Sequence, residues 1–343
     1  MPAAATSRLE SLRARSGIDP SAATVTLLVL GAAIFLLVGC LQSTTFAQYT
    51  IQGLAIGSVY GSLALALVLI YRATHVINFA QGELAMLTTY IAYQLMQWGL
   101  SYWVAFAATL AIAFALGTVL QVTLIRPVQH RSVIAVVIVT VGLFILIDGI
   151  VNWIWGGDFK FMPRPFAIAS FDVGGVAIPH LYVGMMVVVF ASAVLVWALF
   201  RFTKLGLGMR AAALRPAAAA LVGVRVDSML AIGWGLAAVL GAVAGLMAEP
   251  SQLFLSPTLM QTILVYAFAA AVLGGLESPG GALVGGLAIG VFLNLMVGYA
   301  QKVHIGRFHI GPELQLPLAF AVLLLILLVK PSGLFGRREV RRV

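Results

Sequence analysis

From residue 24 onward the chain alternates between long apolar runs and short polar or basic turns. A helix needs about 20 apolar residues to cross about 30 Å of hydrocarbon. Ten runs reach that length, at roughly 24–41, 49–70, 77–98, 102–124, 133–155, 180–200, 229–248, 258–276, 282–300 and 314–330. The two-residue alternation of a membrane barrel is absent, and backbone groups in lipid must be satisfied within their own segment, so helices are expected. The predicted fold class is therefore all-α, a polytopic transmembrane bundle of about 8–10 spans. The runs within 258–300 share the short turn LESPGG and read either as full spans or as re-entrant half-helices.

The turns carry the basic residues. Alternating through ten spans from a cytoplasmic N-terminus puts Arg8, Arg13, Arg15, Arg72, Arg126, Arg131, Arg201, Lys204, Arg210, Arg215, Arg225, Lys330, Arg337, Arg338, Arg341 and Arg342 inside. Only Lys160, Arg164, Lys302 and Arg307 then fall outside. This is a strong positive-inside bias, and it predicts both termini in the cytoplasm. Trp98, Tyr102, Trp103, Trp153 and Trp155 fall at the predicted outer boundary, as an aromatic belt would. Three regions follow: a cytoplasmic tail over 1–23, a transmembrane bundle over 24–330 and a basic cytoplasmic tail over 331–343. The polar head is too long for an ordinary signal peptide, so the first apolar run is expected to be retained.

Composition sharpens this picture. The chain is 62% hydrophobic and 9% charged, against about 25% charged in soluble domains. The net charge of +9 is gathered into the turns, so no basic face for nucleic acid is expected. The single cysteine, Cys40, excludes a disulfide within the chain and a cysteine-based metal site.

Catalytic chemistry is missing. None of the four lysines is followed by Ser or Thr, so there is no P-loop for ATP. His304 and His309 share a loop without a carboxylate at metal-site spacing. No cofactor, metal or enzymatic activity is expected. Two carboxylates inside the spans draw attention instead. Glu83 lies about 8 Å from a helix start predicted at Asn78, with Gln81 at capping-box spacing. It reads first as a helix-terminal carboxylate at the cytoplasmic interface, and second as a gate. Asp148 lies roughly 10 Å inside the outer end of its span, with Asn152 one turn on. It reads as part of a substrate path or as a helix–helix hydrogen bond.

Two connections are long. The outer segment 156–179 reads as a flap over the outer face or as a docking surface. The inner segment 201–228 is basic and then Ala-rich; Pro216 should open a short helix over 216–222 and Gly223 should end it. Small residues at four-residue spacing, Gly53, Gly57 and Gly61, Gly241 and Gly245, Gly286 and Gly290, predict close helix packing. The pentapeptide GLAIG occurs at 53–57 and again at 286–290, a candidate trace of a duplicated unit.

Three stretches are specific enough to place the chain in a family. GLAIGSVYGSLALALVLIYRATHVINFAQGELAMLTTYIAY covers 53–93, and GLGMRAAALRPAAAALVGVRVDSMLAIGWGLAAVLGAVAG covers 206–245. AFAAAVLGGLESPGGALVGG at 267–286 is followed by VKPSGLFGRR at 329–338. In this order they resemble the permease family of branched-chain amino acid ABC importers. INFAQGE looks like the INFAHGE signature of the H-type subunit. The resemblance implies a bacterial inner-membrane subunit that pairs with a homologous second permease. It also implies two cytoplasmic ATP-binding subunits that supply the missing P-loop, and an extracytoplasmic solute-binding protein. It makes the inner short helix a coupling helix, with Arg210, Ala217, Ala218, Ala219, Leu221 and Gly223 facing the ATPase. Ala217 stands where the family's E-A-A-x-x-x-G pattern has Glu, which makes that contact more apolar. Relatives of this kind carry branched-chain and other amino acids, amides, urea or aromatic acids, and the residues alone leave that choice open. The alternative is a stand-alone secondary carrier or channel, which would need a midplane ion site.

Overall fold

The computed structural model describes residues 31, 33–129, 131–252, 254–300, 304–305, 308–309, 314–330 and 333–335. The expected tail over 1–23 and the end of the chain from 336 lie outside these residues. The chain divides into contact units of residues 1–47 and 48–343. In the first, helix α1 (Ala33–Gln42) is followed by the start of a long helix, and Phe35 meets Phe46 edge-on with ring centroids 5.8 Å apart.

The second unit is a helical bundle. It comprises α2 (Thr44–Thr74, from Gln48 on), α3 (Gln81–Gln97) and α4 (Tyr102–Leu120), the last continued by a π-turn over Gln121–Ile125. Next come α5 (Val133–Trp155), the hairpin β1 (Ser170–Val173) and β2 (Val176–Pro179), and α6 (His180–Phe202). The short helices α7 (Lys204–Leu214) and α8 (Pro216–Leu221) lead to α9 (Val226–Ala248). The rest is α10 (Leu259–Gly274), α11 (Pro279–Ala300), the two-residue strands β3 (His304–Ile305) and β4 (Phe308–His309), and α12 (Gln315–Val329). Helices α2, α4, α5, α6, α9 and α11 are long and apolar enough to cross a membrane by length and composition. The protein is a multi-pass membrane protein.

Local chemistry sets the ends of these helices. Ser132 Oγ accepts a bond from Ala135 N–H at 3.1 Å to open α5, and Thr203 Oγ1 accepts from Gly206 N–H at 3.0 Å to open α7. His75 closes α2 in a left-handed conformation, φ 54°. Helix α7 is absent from the sequence expectation, which read one short helix in the inner connection.

Packing is governed by small residues. On α2, a Cβ at Gly53 would lie 2.6 Å from Val291 Cα, and one at Gly57 would lie 2.7 Å from Gly286 O. Positions ascending on α2 meet positions descending on α11, so the pair is antiparallel and backbone to backbone. On α9, Gly241 and Gly245 abut Ala85 of α3, and Gly117 of α4 abuts Trp234 and Ala238. Such contact needs residues no larger than Gly or Ala at the crossing. The two GLAIG copies thus pack against each other.

A different repeat is visible in the packing. Helix α3 lies on α4, α5 and α9, and α4 on α9. Correspondingly, α10 lies on α11 and α12, Tyr60 of α2 meets Tyr266 of α10, and α2 lies on α11. Exchanging α2–α5 with α9–α12 maps this pattern onto itself. The two copies run oppositely: Val59 and Tyr60 share a core with Val243 and Ala244, while Leu69 and Ile70 share one with Trp234 and Ala237. This is an inverted repeat.

Candidate site at two buried helix starts

Helices α3 and α10 occupy equivalent places in the repeat, and both are short, with 17 and 16 residues. At 1.5 Å per residue neither reaches across about 30 Å of hydrocarbon. The reason lies in the chain before α3. After α2 ends, residues 75–80 climb back into the bundle, with Val76, Asn78 and Ala80 buried. Gln81 Nε2 then donates to Ala237 O at 2.9 Å. Ala237 is the twelfth of the 23 residues of α9, so α3 begins at mid-depth.

Asn78 and Gln81 build this re-entry. Asn78 Oδ1 accepts from Ala80 N–H at 3.1 Å, and Asn78 Nδ2 donates to Gln81 Oε1 at 3.2 Å. The expected capping box does not form. Ala80 takes the cap position without a side-chain bond, because both amides are drawn into fixing the loop to α9.

Glu83 is the third residue of α3 and is fully buried. This corrects its placement at the membrane interface; the helix starts at Gln81, deep in the bundle, and not at Asn78. Neither carboxylate oxygen of Glu83 finds a hydrogen-bond partner among the described residues. The Gln261 side chain of α10 lies within looser hydrogen-bonding reach of the Glu83 carboxyl group, and Asp148 of α5 is a like-charged neighbour. Gln261 is likewise the third residue of its helix. A Cβ at Gly82 would touch Leu264 and Met260, so the first turns of α3 and α10 abut. Phe79 stacks on Phe268, with centroids 5.9 Å apart at 24°.

Asn152 shares the face of Asp148, donating from Nδ2 to Asp148 O at 2.9 Å, but its side chain is exposed. Of the sequence-derived path residues, the structure gathers Glu83 and Asp148. It assigns Asn78 and Gln81 to scaffolding and leaves Asn152 outside. Gln261 and Glu249 were missed. Glu249 ends α9, is buried, and has Oε2 without a hydrogen-bond partner among the described residues; Arg164 is an electrostatic neighbour. The apolar runs around both helices, 77–98 and 258–276, are of full spanning length, so no local signal marked Gln261.

The 156–179 segment closes one end of this region. Lys160 N–H donates to Leu255 O at 3.0 Å, and Leu255 N–H returns a bond to Lys160 O at 2.9 Å. Leu255 is fully buried in the chain that leads into α10, and Phe159 packs on Phe254 with centroids 4.4 Å apart.

At the other end, α8 projects from the bundle. Pro216 opens it and Gly223, at φ 85°, follows its end. Ala219 is buried, but Ala217 and Ala218 are exposed, and Leu221 and Val222 are 89% and 78% exposed. Arg210 lies on α7, where its Nε donates to Gly206 O at 3.3 Å. Among the described residues no three metal-ligating side chains cluster.

Residues 49–327 match the family described as the permease component of the branched-chain amino acid transport system. The high-affinity branched-chain amino acid transport system permease protein LivH of Salmonella typhimurium is 29% identical over 315 residues, covering 88% of this chain and 99% of the relative. BraD of Pseudomonas aeruginosa, a permease protein of the same description, is 28% identical and covers 87% and 98%. Among solved structures, PsaBC from Streptococcus pneumoniae in complex with Fab matches at 15% identity and TM-score 0.45, covering 88% of this chain and 97% of that one.

Proposed function

Because the chain belongs to the branched-chain amino acid transport system permease family, we propose that it forms part of the path of an ATP-driven importer for zwitterionic amino acids with apolar side chains. The observation that carries the substrate class is the meeting of two helix N-termini beside one buried carboxylate that has no cationic side chain among its neighbours. Glu83 is buried beside Gln261 and Asp148 with no cation among these neighbours, and a buried charge is costly unless paired. An incoming ammonium supplies that partner. The positive ends of the α3 and α10 dipoles favour the substrate carboxylate nearby. Phe79, Phe268 and the neighbouring alanines supply an apolar wall for the side chain.

The power stroke comes from outside the chain, which has no P-loop. Two ATP-binding subunits drive the pair of permeases: one grips α8 through the exposed face of Ala217, Ala218 and Leu221, with Arg210 beside it, and a homologous permease engages the other and completes the path. The end bearing Arg72, Arg126, Arg201 and Arg210 faces the cytoplasm, together with both termini. The Lys160–Leu255 closure then faces an extracytoplasmic binding protein. ATP-driven closure of the motors moves α7 and α8, and the inverted halves rock about the shared site in alternating access.

The test is uptake of radiolabelled leucine into proteoliposomes holding the full complex. Accumulation is expected only with ATP and all subunits present. Accumulation by this chain alone would overturn the reading in favour of a self-sufficient carrier.

A further inference from the structure

A second concave feature lies away from the helix starts. A groove of about 380 Å³ opens between α2, α6, α7 and the start of α11. Its floor is apolar, with Leu65, Leu69, Phe190, Trp197 and Leu283. Its rim carries three guanidinium groups, Arg72, Arg201 and Arg210, and no carboxylate is among its lining residues. Glu277, in the turn before α11, is exposed and does not line it.

Two features hold the rim in place. A Cβ at Gly206 would collide with the backbone of Leu199 and Phe200, so α7 folds tightly against the end of α6 and brings Arg210 near Arg201. The Nε bond to Gly206 O orients the Arg210 guanidinium. The first turn of α11 adds its positive dipole end through Pro279 and Gly280 at the same rim. On the flank, Val194 and Trp197 are more than half exposed along α6, whose apolar stretch is largely unburied.

We propose that this groove binds an anionic phospholipid, with an acyl chain on the apolar floor and the phosphate against Arg72, Arg201 and Arg210. The amphipathic shape argues for the occupant: grease along the length and cationic donors at one end only, at the end of the bundle where basic residues collect. Basic recesses between transmembrane helices on that side suit anionic headgroups. An anion held there would link α6, α7 and α11, so lipid composition would tune the stiffness of the elbow that carries α8. The side of the membrane rests on the orientation proposed above, but the lipid site is tested separately from transport, because its binding is measured without substrate or ATP.

The experiment titrates the full purified chain in detergent with phosphatidylglycerol or phosphatidylcholine of matched acyl chains and counts bound lipid by native mass spectrometry. One phosphatidylglycerol per chain is expected, with phosphatidylcholine weaker. The double variant Arg201→Gln with Arg210→Gln should weaken phosphatidylglycerol about 30-fold, at about fivefold per arginine. Gly280→Trp leaves the arginines intact, and its Cβ meets nothing within 4 Å. It should occlude the groove and abolish retention without disturbing the fold. Equal binding of the two lipids would overturn the proposal, as would unchanged binding in either variant. So would cross-linking from Val194 to the second permease in the assembled complex with no lipid retained, which would make the groove a subunit interface.

Discussion

The side chain of Gln81 donates a hydrogen bond to the backbone carbonyl of Ala237, 156 positions away in the chain, at 2.9 Å. This one bond ties the first turn of α3 to the centre of α9. It explains why Glu83 is buried, although the turn before it is polar and its helix is too short to span.

Replacing Glu83 with Gln tests the role of this buried carboxylate. The amide removes a buried charge, so thermal stability of the purified complex should hold or rise. Leucine uptake should fall at least about tenfold, because an ion-paired contact to the ammonium is lost. Parallel uptake and melting curves check it; normal uptake would exclude Glu83 from substrate contact.

Gly57→Leu should damage folding more than chemistry. Its Cβ would lie 2.7 Å from Gly286 O, a backbone atom that cannot step aside cheaply. Overpacking of this kind costs about 1–3 kcal/mol or more. Protein recovered from the membrane should drop, and Gly290→Leu should behave alike because its Cβ would meet Gly57 across the same α2–α11 crossing. Gly142→Leu is the control, since its Cβ meets nothing within 4 Å.

Lys160→Pro removes the N–H that bonds Leu255 O at 3.0 Å. The net loss is about 1 kcal/mol, enough to loosen the 156–179 segment without unfolding the bundle. Limited proteolysis should cut within that segment sooner than in the unaltered protein. If the segment guards the path, leakage of preloaded leucine from proteoliposomes should increase as well.

Leu221→Asp places a charge on a side chain that is 89% exposed, so the fold should be untouched. Gly223→Val forces a β-branched residue into φ 85° and should shift the end of α8. Both should leave the chain in the membrane while uptake falls relative to ATP hydrolysis. Normal coupling in both would exclude α8 as the contact with the motor.

The legible part of this protein was its solvent. Run length, charged turns and Gly spacing are local properties, and they were enough to predict a helical membrane bundle, the Pro216 helix and its stop at Gly223, and the small-residue faces on α2, α9 and α11. The family, too, was readable from three stretches of sequence. Which faces would meet was not: two identical pentapeptides looked like copies in a repeat, whereas the packing sets Gly57 against Gly286. Helix α7 was hidden because a Gly-containing basic stretch carries weak helical preference; its tight seat against α6 decides it.

What the amino-acid order determined alone was the partition between lipid and water, since about 20 consecutive apolar residues have a favourable home only in hydrocarbon. Depth within that hydrocarbon was a tertiary decision. Asn78 and Gln81 can satisfy their amides in water just as well, and only the presence of the Ala237 carbonyl, brought close by the chain's fold, draws the loop inward. Glu83 and Gln261 face each other for the same reason: their helices begin where neighbouring backbones accept them, and no pattern local to either segment encodes that height.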